Sequence, residues 1–85
     1  MKEITIDCRG VLSREEMHRA LAQALSFPDH YGRNLDALHD QLTAIRQDTT
    51  LVLENFRRDA PENRGFLRVF SDSMEENPHL TVLFE

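Results

Sequence analysis

The sequence predicts an α/β domain: a two-layer fold with a three-stranded parallel sheet in the order 1-2-3 and helices packed on one face. Three observations carry this expectation. Strand-like apolar runs occur near residues 3–8, 50–54 and 80–84, and segments with helical spacing separate them. Strands joined through helical crossovers are most simply parallel. With the second strand in the centre, right-handed crossovers put every helix on the same side. The opposite face then carries Glu3, Thr5, Asp7, Glu54 and Thr81, all polar or charged, as an open face requires.

In the first strand Ile4, Ile6 and Cys8 alternate with Glu3, Thr5 and Asp7, and Gly10 ends it. Ser13 and Glu16 form a capping box, and Leu12 can pack on Met17 as a hydrophobic staple, so a helix starts there. Met17, Leu21 and Leu25, with Ala20 and Ala24, give that helix a narrow apolar stripe, and Pro28 stops it. Asn34 is a favourable N-cap for a second helix, whose core stripe is Leu35, Leu38, Leu42 and Ile45. Residues 50–54 show the least polar alternation in the chain, which suits a central strand. A polar connection over 55–61 leads to a third helix from about Glu62 to Glu75, buried through Phe66, Leu67, Val69, Phe70 and Met74. Gly65 lies early in it, where glycine costs about 1 kcal/mol relative to alanine; close packing on the sheet is the expected reason. Asn77-Pro78 breaks the helix before the last strand, Leu80 to Phe84.

With 85 residues, 40% of them hydrophobic, the chain suits one domain spanning 1–85 with one core. A net charge of -5 argues against nucleic acid as a direct ligand and favours a basic protein surface. The single cysteine, Cys8, has no internal disulfide partner, which suits a reducing cytoplasm. No run approaches the ~18 apolar residues of a membrane span, and the start has no apolar signal segment, so a cytoplasmic protein is expected, with no membrane partner.

The functional signal is concentrated in residues 27–43. Asp36 and Asp40 stand at i,i+4, so their carboxylates share an exposed face with His39 and Thr43. Like charges at that spacing cost an isolated helix roughly 0.2–0.5 kcal/mol. Asp40 also lies toward the carboxyl half, where the helix dipole disfavours an anion. A cationic partner is the natural recipient of such a face.

The pattern Tyr31-Gly32-x-Asn34-Leu35-Asp36-Ala37-Leu38-x-Asp40 resembles the signature of the barstar family, small cytoplasmic inhibitors of secreted bacterial ribonucleases. The strand and helix order agrees over nearly the whole chain. The resemblance implies a barstar-like fold and a stoichiometric inhibitor with no catalytic activity and no cofactor. Its partner would be a basic bacterial ribonuclease, in the setting of toxin immunity. It implies partner-binding roles for His30, Tyr31, Gly32, Asn34, Asp36, His39, Asp40 and Thr43, and for Asp72 on the next helix. Asp40 would be the deep phosphate mimic, Asp36 its flanking partner, Tyr31 a source of rigid contact area, and Gly32 the point where the backbone turns and approaches closely. The chain departs from the family pattern at His30, Arg33, His39 and Ile45, which bears on which ribonuclease it would recognise.

Two other readings share the same residues. The acidic face would equally serve an interaction module for some other basic protein. Asp36, His39 and Asp40 also share a face on which a metal or an enzymatic site would need a further ligand; no glycine-rich phosphate loop or nucleophile elbow accompanies them. His18 is expected as an exposed helix residue and His79 as a loop residue beside Pro78. Cys8 reads as a small buried hydrophobe. Arg57, Arg58 and Arg64 are interrupted by Asp59 and Glu62, so they read as a solvated loop and not as an RNA-binding patch.

Overall fold

The computed structural model describes residues 2–11 and 13–85. Strand β1 (Lys2–Asp7) is followed by a 3-10 turn at Cys8–Gly10, then helices α1 (Arg14–Leu25) and α2 (Leu35–Thr43). Strand β2 (Thr49–Glu54), a 3-10 turn at Pro61–Asn63, helix α3 (Arg64–Glu76) and strand β3 (Leu80–Phe84) complete the chain. The sheet has the order β1-β2-β3, all parallel. Ile4, Leu51 and Val82 lie side by side in register, as do Ile6, Leu53 and Phe84. Residues two apart in a strand point to the same side, so these two rows form one apolar face. Met17 and Leu21 of α1, Leu38 and Leu42 of α2, and Phe66, Val69 and Phe70 of α3 pack against it. Leu21, Leu38, Leu42, Leu51 and Leu53 are 0% exposed, and burial of each contributes about 1.5–3 kcal/mol of transfer free energy. No helix is long and apolar enough to cross a membrane among the described residues.

The open face carries Glu3, Thr5, Asp7, Glu54 and Thr81, as expected, but its middle row is Thr5, Val52 and Leu83. Val52 is buried and Leu83 is exposed. The central strand shields Val52 with neighbours on both sides; the edge strand leaves Leu83 bare.

Several boundaries fall differently from the sequence reading. Strand β1 stops at Asp7, because the Asp7 carboxylate accepts the Arg9 N–H at 3.0 Å and turns Cys8 out of the ladder. Cys8 is nonetheless buried. In α1 the Ser13 hydroxyl accepts the Glu16 N–H at 3.1 Å, while the expected Leu12 staple lies outside the described residues. That helix ends before Pro28 can act: Ser26 adopts a left-handed conformation, φ 57°, and Phe27 donates its N–H to the Ala22 carbonyl at 2.9 Å. Helix α2 ends at Thr43, so Ile45 lies past it and packs from a loop. Pro61 opens a 3-10 turn before α3, which then runs through Glu76. In α3, Leu67 is only half-buried, and Ser73 takes a fully buried place instead.

Gly65 does not face the sheet. A Cβ there would stand 2.5 Å from Leu35 Cδ1, so the glycine lets α3 approach the first residue of α2. Asn77 secures the other end of that contact. Its side-chain amide donates to the Leu42 and Ile45 carbonyls at 2.9 and 3.0 Å, and its oxygen accepts the His79 N–H at 3.0 Å. At this open helix end the Leu42 carbonyl otherwise accepts a long bond from the Ile45 N–H, at 3.5 Å.

Candidate functional site: an acidic face on two helices

The segment from Ser26 to Asn34 carries the chain from the end of α1 back to the start of α2, and Tyr31 anchors it. The Tyr31 N–H bonds the Pro28 carbonyl at 3.0 Å, and its ring lies 4.9 Å from that of Phe27. Its hydroxyl meets His18 Nδ1 at 2.6 Å, and the His18 ring packs 5.0 Å from Phe66. His18 is 5% exposed and Tyr31 8%. The expectation of an exposed His18 is therefore corrected. A histidine one step from the Met17 stripe is drawn inside because a partner thirteen residues away satisfies its ring nitrogen. Tyr31 is a core residue of the free protein and offers little of its ring to a partner. Burial pushes the Tyr31 phenol up to about 12. Burial, then the positive charge of Arg14, hold the His18 imidazole below its ordinary range.

Just before the α2 cap the left-handed residue is Arg33, φ 54°, and not Gly32. Gly32 serves close approach, since a Cβ there would stand 3.2 Å from Asn34 Nδ2 and 3.4 Å from the Ala37 Cβ. Arg33 lies 3.9 Å from Glu15 of α1. Asn34 caps α2 as expected: its side-chain oxygen accepts the Ala37 N–H at 2.8 Å, while its amide reaches the Gly32 carbonyl at 3.4 Å. The cap fixes where the helix begins and therefore where its acids point.

Asp36 and Asp40 are exposed on α2, and Asp72 is exposed on α3. His39 stands between the helices, with its Nε2 2.7 Å from Glu76 Oε2. That hydrogen bond, with the nearby negative charge of Glu76, Asp40 and Asp72, raises the imidazole above its ordinary range despite partial desolvation. Glu76 bonds the ring directly, while Asp40 and Asp72 act on it through charge alone. Thr43 turns inward and donates its hydroxyl to the His39 carbonyl at 2.8 Å. His30 is exposed in the loop before Tyr31. Glu76 was not anticipated from the sequence; its i,i+4 spacing from Asp72 was the available signal. Among the described residues, no three His, Cys, Asp or Glu side chains are arranged to hold a metal ion.

Fold and site together define a small parallel α/β protein that presents acids from two packed helices beside a tightly capped loop. The chain belongs to the barstar family: the family model described as Barstar (barnase inhibitor) matches residues 1–84. It is also 51% identical over 77 residues to a protein of Bacillus subtilis (strain 168) named "Putative ribonuclease inhibitor YrdF". That match covers 89% of this chain and 80% of the relative.

Proposed function

We propose that this chain is a stoichiometric, non-catalytic inhibitor of a basic bacterial ribonuclease. It would act in the cytoplasm to protect the cell from a toxic enzyme. Family membership and the name of the Bacillus relative support the class. The observation that carries the mechanism is the exposure of Asp36 and Asp40 on α2 and of Asp72 and Glu76 on α3, two helices joined there by the His39–Glu76 hydrogen bond. A ribonuclease holds RNA phosphates in a cationic cleft. Carboxylates presented at fixed spacing on a rigid helix imitate those phosphates and block access to the cleft. In this reading Asp40 enters deepest and Asp36 flanks it, while Asp72 and Glu76 extend the negative field across α3. His30, Gly32, Asn34 and Thr43 shape the rim, and Tyr31 fixes the loop from within. His39 sits at the edge of the interface, tied to Glu76.

The experiment is a titration of wild type and Asp40→Ala against a panel of secreted bacterial ribonucleases, barnase among them. Inhibition of one enzyme should end at one inhibitor per enzyme. Asp40→Ala should weaken it more than any other single alanine substitution on the face, by about 3–5 kcal/mol, because it strands buried cations in the cleft. A scan in which Asp40→Ala ranked with neutral rim residues would remove the phosphate-mimic mechanism.

A further inference from the structure

The carboxyl ends of β1 and β2 open into a cavity of about 380 Å³ whose lining includes none of the acids of the proposed inhibitory face. Small-molecule sites span roughly 300–1,000 Å³, and this cavity falls within that range. Its apolar lining is Cys8, Val11, Met17 and Phe56. Cys8 and Met17 are buried, and Val11 and Phe56 pack partly against the core, so these four surfaces are fixed.

Arg9, Arg14 and Arg57 also line the cavity. Arg9 is held in one orientation, with its Nε and Nη2 donating to Asp7 Oδ2 at 3.0 and 2.6 Å. A guanidinium has five N–H donors, so others remain. The Asp7 carboxylate also accepts the Asn55 amide at 3.2 Å, which joins the ends of β1 and β2 at the rim. Asn63 donates to the Arg57 carbonyl at 2.9 Å and fixes the loop that bears it. Asp7 offsets the charge of Arg9. Arg14 and Arg57 have no ion-pair partner among the described residues, and Glu62 is the one acid in the lining.

We propose that this cavity binds a small phosphorylated ligand with a flat or apolar body, of the nucleoside monophosphate kind. The body would lie on the Val11, Met17 and Phe56 surface, with the phosphate held by Arg14, Arg57 and the remaining donors of Arg9. Unpaired arginines beside an apolar wall match that combination: the guanidinium forks suit phosphate oxygens, and the wall suits a base. The site is separate from the proposed inhibitory face.

The test titrates the isotopically labelled chain with adenosine 5′-monophosphate, adenosine and inorganic phosphate, following backbone amide shifts. The monophosphate should give saturable shifts confined to residues 8–17 and 55–63. Adenosine, which lacks the charge-assisted hydrogen bonds, should bind about tenfold more weakly, and inorganic phosphate, which lacks the body that lies on the apolar wall, should also bind about tenfold more weakly. Arg14→Glu and Arg57→Glu, both exposed positions, should each weaken the monophosphate by about tenfold and leave ribonuclease inhibition unchanged. Three results would each overturn the site: no saturable shift up to roughly 10 mM, well beyond a millimolar dissociation constant; adenosine binding as well as its monophosphate; or both charge reversals binding like wild type.

Discussion

Replacing Tyr31 by Phe removes one atom, and the structure says what that atom does. The Tyr31 hydroxyl lies 2.6 Å from His18 Nδ1, and both residues are more than nine-tenths buried. The phenylalanine ring still fills the space beside Phe27, so no cavity opens. The loss is one hydrogen bond, and it leaves a buried imidazole nitrogen without its partner. A buried polar group without its partner costs about 1–3 kcal/mol, and the melting temperature falls by roughly 4–8 °C for each kcal/mol in a domain of this size. Urea denaturation at pH 8 measures the difference directly. A Tyr31→Phe variant within about 0.5 kcal/mol of wild type, the range of neutral surface changes, would refute the role given to this pair.

The same pair sets a pH dependence. The folded imidazole of His18 titrates below its unfolded value, which lies near 6.5. The unfolded chain therefore binds more protons, and stability rises with pH. This contribution is complete above about pH 6.5 and is lost as the pH falls below it. His39 acts in the opposite sense: its folded value is raised, so its contribution is present at low pH and disappears as pH rises through that value. Measuring the series in a His39→Gln background removes the opposing slope. A flat profile between pH 7.5 and 5 in that background would contradict the burial of a neutral His18.

Asn77→Ala should destabilise the fold by about 2–4 kcal/mol, read by urea denaturation, since three hydrogen bonds from one buried side chain are lost together. A loss below about 1 kcal/mol, the value of a single net bond, would mean that the α2 end is held some other way. In stopped-flow mixing with the target ribonuclease, the association rate should fall steeply as salt rises while the dissociation rate changes little. A flat association rate would mean that the acidic face does not meet a basic partner. His39→Trp should keep equimolar inhibition, because a rim position tolerates a larger ring. Abolished inhibition, with stoichiometric zinc present in wild type and absent from the variant, would identify His39 as a metal ligand, since indole cannot coordinate metal.

The sheet was legible because its signals are local. Alternation in Ile4 and Ile6, the apolar run Leu51 to Leu53 and the Asn77-Pro78 break each sit within a few residues of what they specify. The Asn34 cap and the pairing of Asp36 with Asp40 were legible for the same reason. What escaped depends on contacts across the chain. His18 looks solvated until Tyr31 is placed over it, and Gly65 looks like a sheet contact until Leu35 arrives. Ser26 ended α1 where a proline seemed to be responsible, because a left-handed serine carries no strong sequence mark. Asp72 entered the site only through the family resemblance, and Glu76 not at all: its i,i+4 spacing from Asp72 could have marked it, but nothing local says that the end of α3 lies beside the middle of α2.

Helix α2 has nine residues, and isolated helices shorter than ~12–15 residues are marginal in water. Its spacing of carboxylates thus exists only while Gly65, Asn77 and the core hold it against α3. A peptide cut from residues 34–46 would carry the same acids as a fluctuating coil, and binding would have to order it first. In the intact chain that conformational entropy is already spent when the polypeptide folds, and encounter costs correspondingly less. The proposed inhibitory face would therefore be a tertiary property, governed by residues such as Gly65 and Asn77 that lie outside it.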